Sequence, residues 1–95
     1  MTFFEVRASS RYKRDFKRLK KAKKNLGTLQ TVINLLSSGA VLPRKYCDHG
    51  LKGGLHGKRV CHIGHDWLLL YEKRDDVLLL LLVRTGTHRD VFGIE

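Results

Sequence analysis

The 95-residue sequence predicts an α+β domain, two helices packed on a mainly antiparallel sheet of about four strands. Three observations carry that prediction. Apolar residues recur at helical spacing from Tyr12 to Leu36. Three apolar runs separated by short polar turns occupy the chain beyond residue 57. A glycine-containing segment without periodicity lies between the two regions. The length suits one small domain with one core, spanning residues 1–95.

Phe3 to Arg7 reads as a short opening strand. Ser9 and Ser10 are candidate helix caps. Behind them Tyr12, Phe16 and Leu19 form one apolar stripe, with Asp15 among basic neighbours. The other face carries Lys13, Arg14, Lys17, Arg18, Lys20, Lys21, Lys23 and Lys24, and Gly27 is read as the helix stop. A second helix starts near Leu29, with Leu29, Val32, Ile33 and Leu36 as its stripe and Gly39 as its end. Leu42-Pro43 opens an irregular surface loop that runs through Gly50, Gly53 and Gly54 and holds Cys47, Asp48, His49 and Lys52. Strands are expected at Lys58–Ile63, Trp67–Lys73 and Val77–Val83, joined by turns at Gly64-His65-Asp66 and Arg74-Asp75-Asp76. Short turns favour antiparallel neighbours. The leucine-rich last strand reads as internal, because its apolar side chains occupy both faces.

The formal net charge of +10 points to a polyanion partner, since neutralising phosphates releases counterions. Cys47 and Cys61 are the only cysteines, and the opening residues have neither a basic stretch nor a long apolar one. A reduced, cytoplasmic protein without a membrane segment is the expectation. No helix-turn-helix pattern supports a DNA-binding regulator.

The antiparallel arrangement brings chemistry together. His62 ends one strand, Asp66 precedes the next, and Arg84 and His88 leave the last strand at the same edge. The loop bearing His49 can fold over that edge. RNA cleavage needs such a set: a base for the 2′-hydroxyl, an acid for the 5′-oxygen, and positive charge for the phosphate between them. Imidazoles suit the first two tasks and Arg84 the third, while Phe92 can stack on a base. Cys47, His49, Cys61, His62 and His65 are possible zinc ligands, but their spacing matches no regular finger and CxxC is absent. No metal and no cofactor are expected. His56 and His65 are read as surface or turn residues, and Trp67 as core.

Three segments in order carry a resemblance: Tyr46-Cys47-Asp48-His49-Gly50-Leu51-Lys52-Gly53, Cys61-His62-Ile63-Gly64-His65-Asp66-Trp67-Leu68-Leu69-Leu70-Tyr71, and Arg84-Thr85-Gly86-Thr87-His88 with Phe92. With the basic first helix, they make the chain similar to the RelE/YafQ family of bacterial type II toxins, which are mRNA interferases acting on ribosome-bound message. The match is closest to the YafQ branch. It implies a RelE-like fold, a cognate antitoxin, and ribosome and mRNA as partners. It also implies a catalytic group of His49, His62, Asp66 and His88, assisted by Arg84 and Phe92, with His88 as general acid. RNA contact falls to Lys20, Lys21, Lys24, Lys52 and Arg59. The chain has His65 where the family usually has proline, and Gly50 where members often have a bulky residue. The alternative reading is an inactive module of the same fold that only grips RNA or antitoxin.

Overall fold

The computed structural model describes residues 3–92. It begins with β1 (Glu5–Ala8), α1 (Ser10–Lys21) and α2 (Leu26–Ser37). After a loop come β2 (His49–Gly50), β3 (Arg59–Gly64), β4 (Trp67–Arg74), β5 (Leu79–Gly86) and the short helix α3 (His88–Phe92). The α+β expectation holds, with five strands rather than about four, in the order β1-β5-β4-β3-β2. The fifth is β2, two residues inside the expected loop, paired antiparallel with β3. β5 is internal, lying between β4 and a parallel β1.

The helices start where polar side chains satisfy their first N–H groups. Ser9 caps α1 by accepting from the Tyr12 amide, and Asn25 caps α2 by accepting from the Gly27 amide. Gly27 therefore sits in the first turn of α2 and does not end α1. That helix stops at Lys21, and Lys23 turns left-handed with φ of 58°. Lys24 consequently lies in the connection and not on the helix. Gly39 ends the second helix as expected, its φ of 81° being one that glycine adopts freely.

The strand β5 is displaced from its expected bounds at both ends. Val77 and Leu78 lie in the turn and are 60% and 42% exposed. Beyond Val83 the strand continues through Arg84, Thr85 and Gly86, which pair with Leu70, Leu69 and Leu68.

Two apolar clusters flank the sheet. Tyr12, Leu19, Leu29, Val32, Ile33 and Leu36 from the helices meet Cys61, Ile63, Leu69, Tyr71, Leu80 and Leu82. Full burial of such aliphatic side chains stabilises by about 1.5–3 kcal/mol each. A smaller cluster of Val60, Leu68, Leu70 and Val91, with Leu51, Val83 and Phe92 packed on it, covers the other face. The site is built on this second face.

One polar contact locks the first helix to the sheet. β1 pairs with β5 only as far as Leu82, leaving that edge of β5 without a strand partner beyond it. Asp15 of α1 closes that edge by accepting from the Thr85 amide at 3.1 Å. Its carboxylate also takes two bonds from Arg84, at 2.8 and 3.1 Å. Asp15 is 2% exposed and has no side-chain oxygen left unsatisfied.

Candidate active site

Cross-strand register gathers the histidines. His49 of β2 lies opposite Val60, and His62 of β3 lies opposite Leu68. Paired residues project to the same side of a sheet. Both imidazoles therefore share the face that carries Val60, Leu68 and α3. Leu68 is in turn opposite Gly86, so the row His62, Leu68, Gly86 leads to the start of the short helix.

The helix α3 is held at its N-terminus by two carboxylates. Thr87 and Asp90 form a reciprocal cap. The Thr87 hydroxyl accepts from the Asp90 amide at 3.1 Å, and Asp90 accepts from the Thr87 amide at 3.2 Å. Gly86 makes this possible: its φ is +147°, and a Cβ there would meet Asp90 Oδ2 at 2.7 Å. From the β3–β4 turn, Asp66 accepts from the His88 amide at 3.0 Å and contacts His88 Nδ1 at 2.6 Å. Asp66 itself is left-handed with φ of 48°, a conformation that aspartate tolerates in turns. One residue thus shapes the turn and orients the histidine. The His88 ring lies 5.7 Å from the His62 ring, edge to face, and 6.4 Å from Phe92.

The hydrogen bonds define the nitrogens on offer. A carbonyl only accepts, so the 2.8 Å contact of His49 Nδ1 with the Cys47 carbonyl places a proton on Nδ1. The neutral ring then presents Nε2 as a proton acceptor. In His88 the partner of Nδ1 is a carboxylate, which leaves Nε2 facing outward to exchange a proton and sets a negative charge behind the ring.

His49 is itself anchored through its neighbour. Asp48 receives the Tyr71 hydroxyl at 2.5 Å and the Arg59 guanidinium at 3.1 and 3.3 Å. Burial, then the bond to Asp48, pushes the Tyr71 phenol well above its ordinary range, so it remains a donor. The bond to Asp48 likewise raises Arg59. Arg59, read from the sequence as an RNA contact, is committed to this network. Lys20, Lys21, Lys24 and Lys52 are all exposed.

Arg84 also departs from its expected place. Its guanidinium is bound to Asp15, and none of its hydrogen bonds among the described residues goes to His62, Asp66 or His88. The structure thus brings together His49, His62, Asp66, His88 and Phe92, and sets Arg84 to one side. Sequence reading missed Asp15, Asp48 and Tyr71 as supporting residues. It also missed α3, although Thr87-His88-Arg89-Asp90 is the pattern of a capping box. The cysteines are free and differ in character. Cys47 is exposed, while burial pushes the Cys61 thiol up to about 12. Among the described residues no three His, Cys, Asp or Glu side chains are grouped to hold a metal ion. An apolar groove of about 520 Å³ lies between α1, α2 and β1, lined by none of the histidines.

The two contacts from His88, first its amide and then its ring, hold Asp66 below the usual carboxylate range. The tie between α3 and the β3–β4 turn is therefore complete above the unfolded carboxylate pKa and is lost as pH falls through the lowered value. In an acid titration followed by NMR, the His88 amide resonance is expected to move with a midpoint below ~3.9. A midpoint at or above that value would contradict the assignment.

Comparison with known proteins identifies the family. The family model described as bacterial toxin of type II toxin-antitoxin system, YafQ, matches residues 4–93. The chain belongs to this family. It is 37% identical over 90 residues to the mRNA interferase toxin YafQ of Escherichia coli strain K12, covering 94% of this chain and 96% of the relative. The crystal structure of YafQ from E. coli strain BL21(DE3) superposes with a TM-score of 0.88 at 33% identity, covering 95% of this chain and 99% of that one. The toxin in the E. coli DinJ-YafQ toxin-antitoxin complex gives a TM-score of 0.86 at 36% identity, covering 95% of this chain and 98% of the other. Both the fold and the family expected from the sequence hold for this YafQ-family chain.

Proposed function

We propose that this YafQ-family toxin is an endoribonuclease that cleaves mRNA on the ribosome and is restrained by a cognate antitoxin. One observation carries the reading. Two imidazoles on one face of the sheet have their Nδ1 atoms tied to different partners, a carbonyl for His49 and a carboxylate for His88. In the proposed step His49 Nε2 takes the proton of the 2′-hydroxyl. The 2′-oxygen bonds to the adjacent phosphorus, and the bond from phosphorus to the 5′-oxygen breaks. His88 Nε2 gives that oxygen its proton, leaving a 2′,3′-cyclic phosphate and a 5′-hydroxyl. His62, beside His88, contacts the phosphate, and Phe92 stacks on a base. The proton balance closes without a metal ion.

The test is cleavage of ribosome-bound message by the purified chain, with the new ends mapped. A bell-shaped pH–rate profile is expected, because one imidazole must be neutral while another is protonated. Cleavage is expected to persist in chelator. Loss of activity on removing a stoichiometric metal would overturn the mechanism.

The exposed lysines supply affinity in this reading. Reversing the charge of Lys20, Lys21 and Lys24 is expected to weaken ribosome binding and to flatten its dependence on salt, the slope falling by roughly 0.7–0.9 for each phosphate that is no longer neutralised. Bound toxin should still cleave. Binding unchanged at low salt would make these lysines a solvated surface only.

A further inference from the structure

One side of α3 serves the histidine cluster, and the other side meets α1. Arg11, Arg14 and Arg18 follow at spacings of three and four, so they share one face of that helix. With Asp15 and Arg84 they line a shallow well of about 160 Å³. Asp15 binds Nε and one terminal nitrogen of Arg84, leaving the other terminal nitrogen uncommitted among the described residues. Arg18 touches Asp90 at 3.5 Å but keeps 62% of its side chain exposed. Arg11 and Arg14 form no ion pair among the described residues. Four arginines against Asp15 and Asp90 leave an excess of two positive charges.

We infer that this well binds one phosphodiester group of the RNA chain, neighbouring the phosphate that is cleaved. The inference rests on the proposed nuclease reading. Arg84 is rigid because the buried Asp15 fixes its plane, and a guanidinium held in place loses little freedom on meeting an anion. Arg11 and Arg14 bring unspent charge on flexible stems. The well also lies within reach of the cluster. Arg84 and His88 are four residues apart, so their Cα atoms lie within roughly 14 Å, a reach that adjacent nucleotides can span. Asp90, which Arg18 touches, caps the same helix that presents His88. Lys21 continues the arginine face by three residues, which extends the track for the backbone. Asp15 is on this account a positioning residue.

The experiment uses the isolated full chain and the variant Arg11→Ala/Arg14→Ala. Both positions are exposed on a helix, and alanine is a strong helix former. Inorganic phosphate is titrated while the arginine Nε–H resonances are followed by NMR. Saturable shifts of Arg84, Arg14 and Arg18 are expected in the parent, and weak, unsaturated shifts in the variant. A short RNA with 2′-deoxy sugars at the cleavage position is then scanned with single methylphosphonates. One position should weaken binding to the parent roughly tenfold, the scale of a missing charge-assisted hydrogen bond, and leave binding to the variant unchanged. No shift with phosphate overturns the inference, as does phosphate binding without a coupled position in the RNA. Displacement of the RNA by hexaglutamate at lower concentration than by a trinucleotide would assign the well to an acidic peptide and overturn it too. A parent that shows the coupled position but cleaves no message confirms the well while the nuclease reading fails.

Discussion

Replacing His88 by alanine is expected to lower message cleavage on the order of 10²–10⁴-fold and to abolish growth inhibition, while fold and antitoxin binding persist. The ring is about half exposed, so its removal sacrifices little packing. It does remove the one imidazole whose Nδ1 faces a carboxylate among the described residues. Asp66→Asn separates orientation from proton transfer. Asparagine accepts the left-handed turn at residue 66 and can still receive the His88 amide, but it carries no charge. A smaller loss is expected, with a displaced acidic or basic limb in the pH–rate profile. Single-turnover cleavage of ribosome-bound message measures both variants. Equal toxicity of His88→Ala and the parent would remove His88 from the mechanism.

The cluster that this substitution probes is legible in the sequence because its members are tied to strand ends. Once Lys58–Ile63 and Trp67–Lys73 read as a hairpin, His62 and Asp66 must share an edge, and the return of the next strand brings His88 to it. What supports the cluster is harder to read. Asp15 sits in a lysine- and arginine-rich helix, where local charge suggests a solvated residue, and its partner Arg84 is 69 residues away. Nothing local says that β1 stops at Ala8, opposite Leu82, and leaves an edge amide in need of an acceptor. For the same reason sequence reasoning gives Arg84 to the phosphate alone, when two of its N–H donors are bound to Asp15. The bounds of β5 fail on periodicity: five leucines in a row at residues 78–82 look alike, and only the turn at Asp75–Leu78 separates the exposed first one from the rest. His49 reads as a loop residue because a two-residue strand has no pattern to detect.

Asp15→Ala is expected to destabilise the fold by about 3 kcal/mol, because it strands a partly buried guanidinium and leaves the Thr85 amide without an acceptor. For a chain of this size that corresponds to a drop in Tm on the order of 15 °C. Urea denaturation followed by circular dichroism gives the value. The pair Asp15→Leu/Arg84→Met tests the cause. Removing both charges eliminates the stranded cation, so much of the stability should return although the ion pair is gone. An Asp15→Ala protein as stable as the parent would show that the edge contact contributes nothing to the fold.

The anchoring of α3 has a consequence for how the molecule opens. Five residues are too few for a helix to persist alone, and only Val91 of this one is buried. Its place depends on Asp66, Asp90 and a thin apolar seam, while the sheet beneath depends on a core of sixteen buried residues. Amide hydrogens of α3 should therefore exchange through a local opening, and those of β4 and β5 only through global unfolding. A chain caught in that local opening has kept its sheet and its first two helices but has given up the position of His88. Activity would then vanish at lower denaturant concentration than structure does, and a ligand that clamps the carboxyl-terminal turn would raise the first midpoint without moving the second.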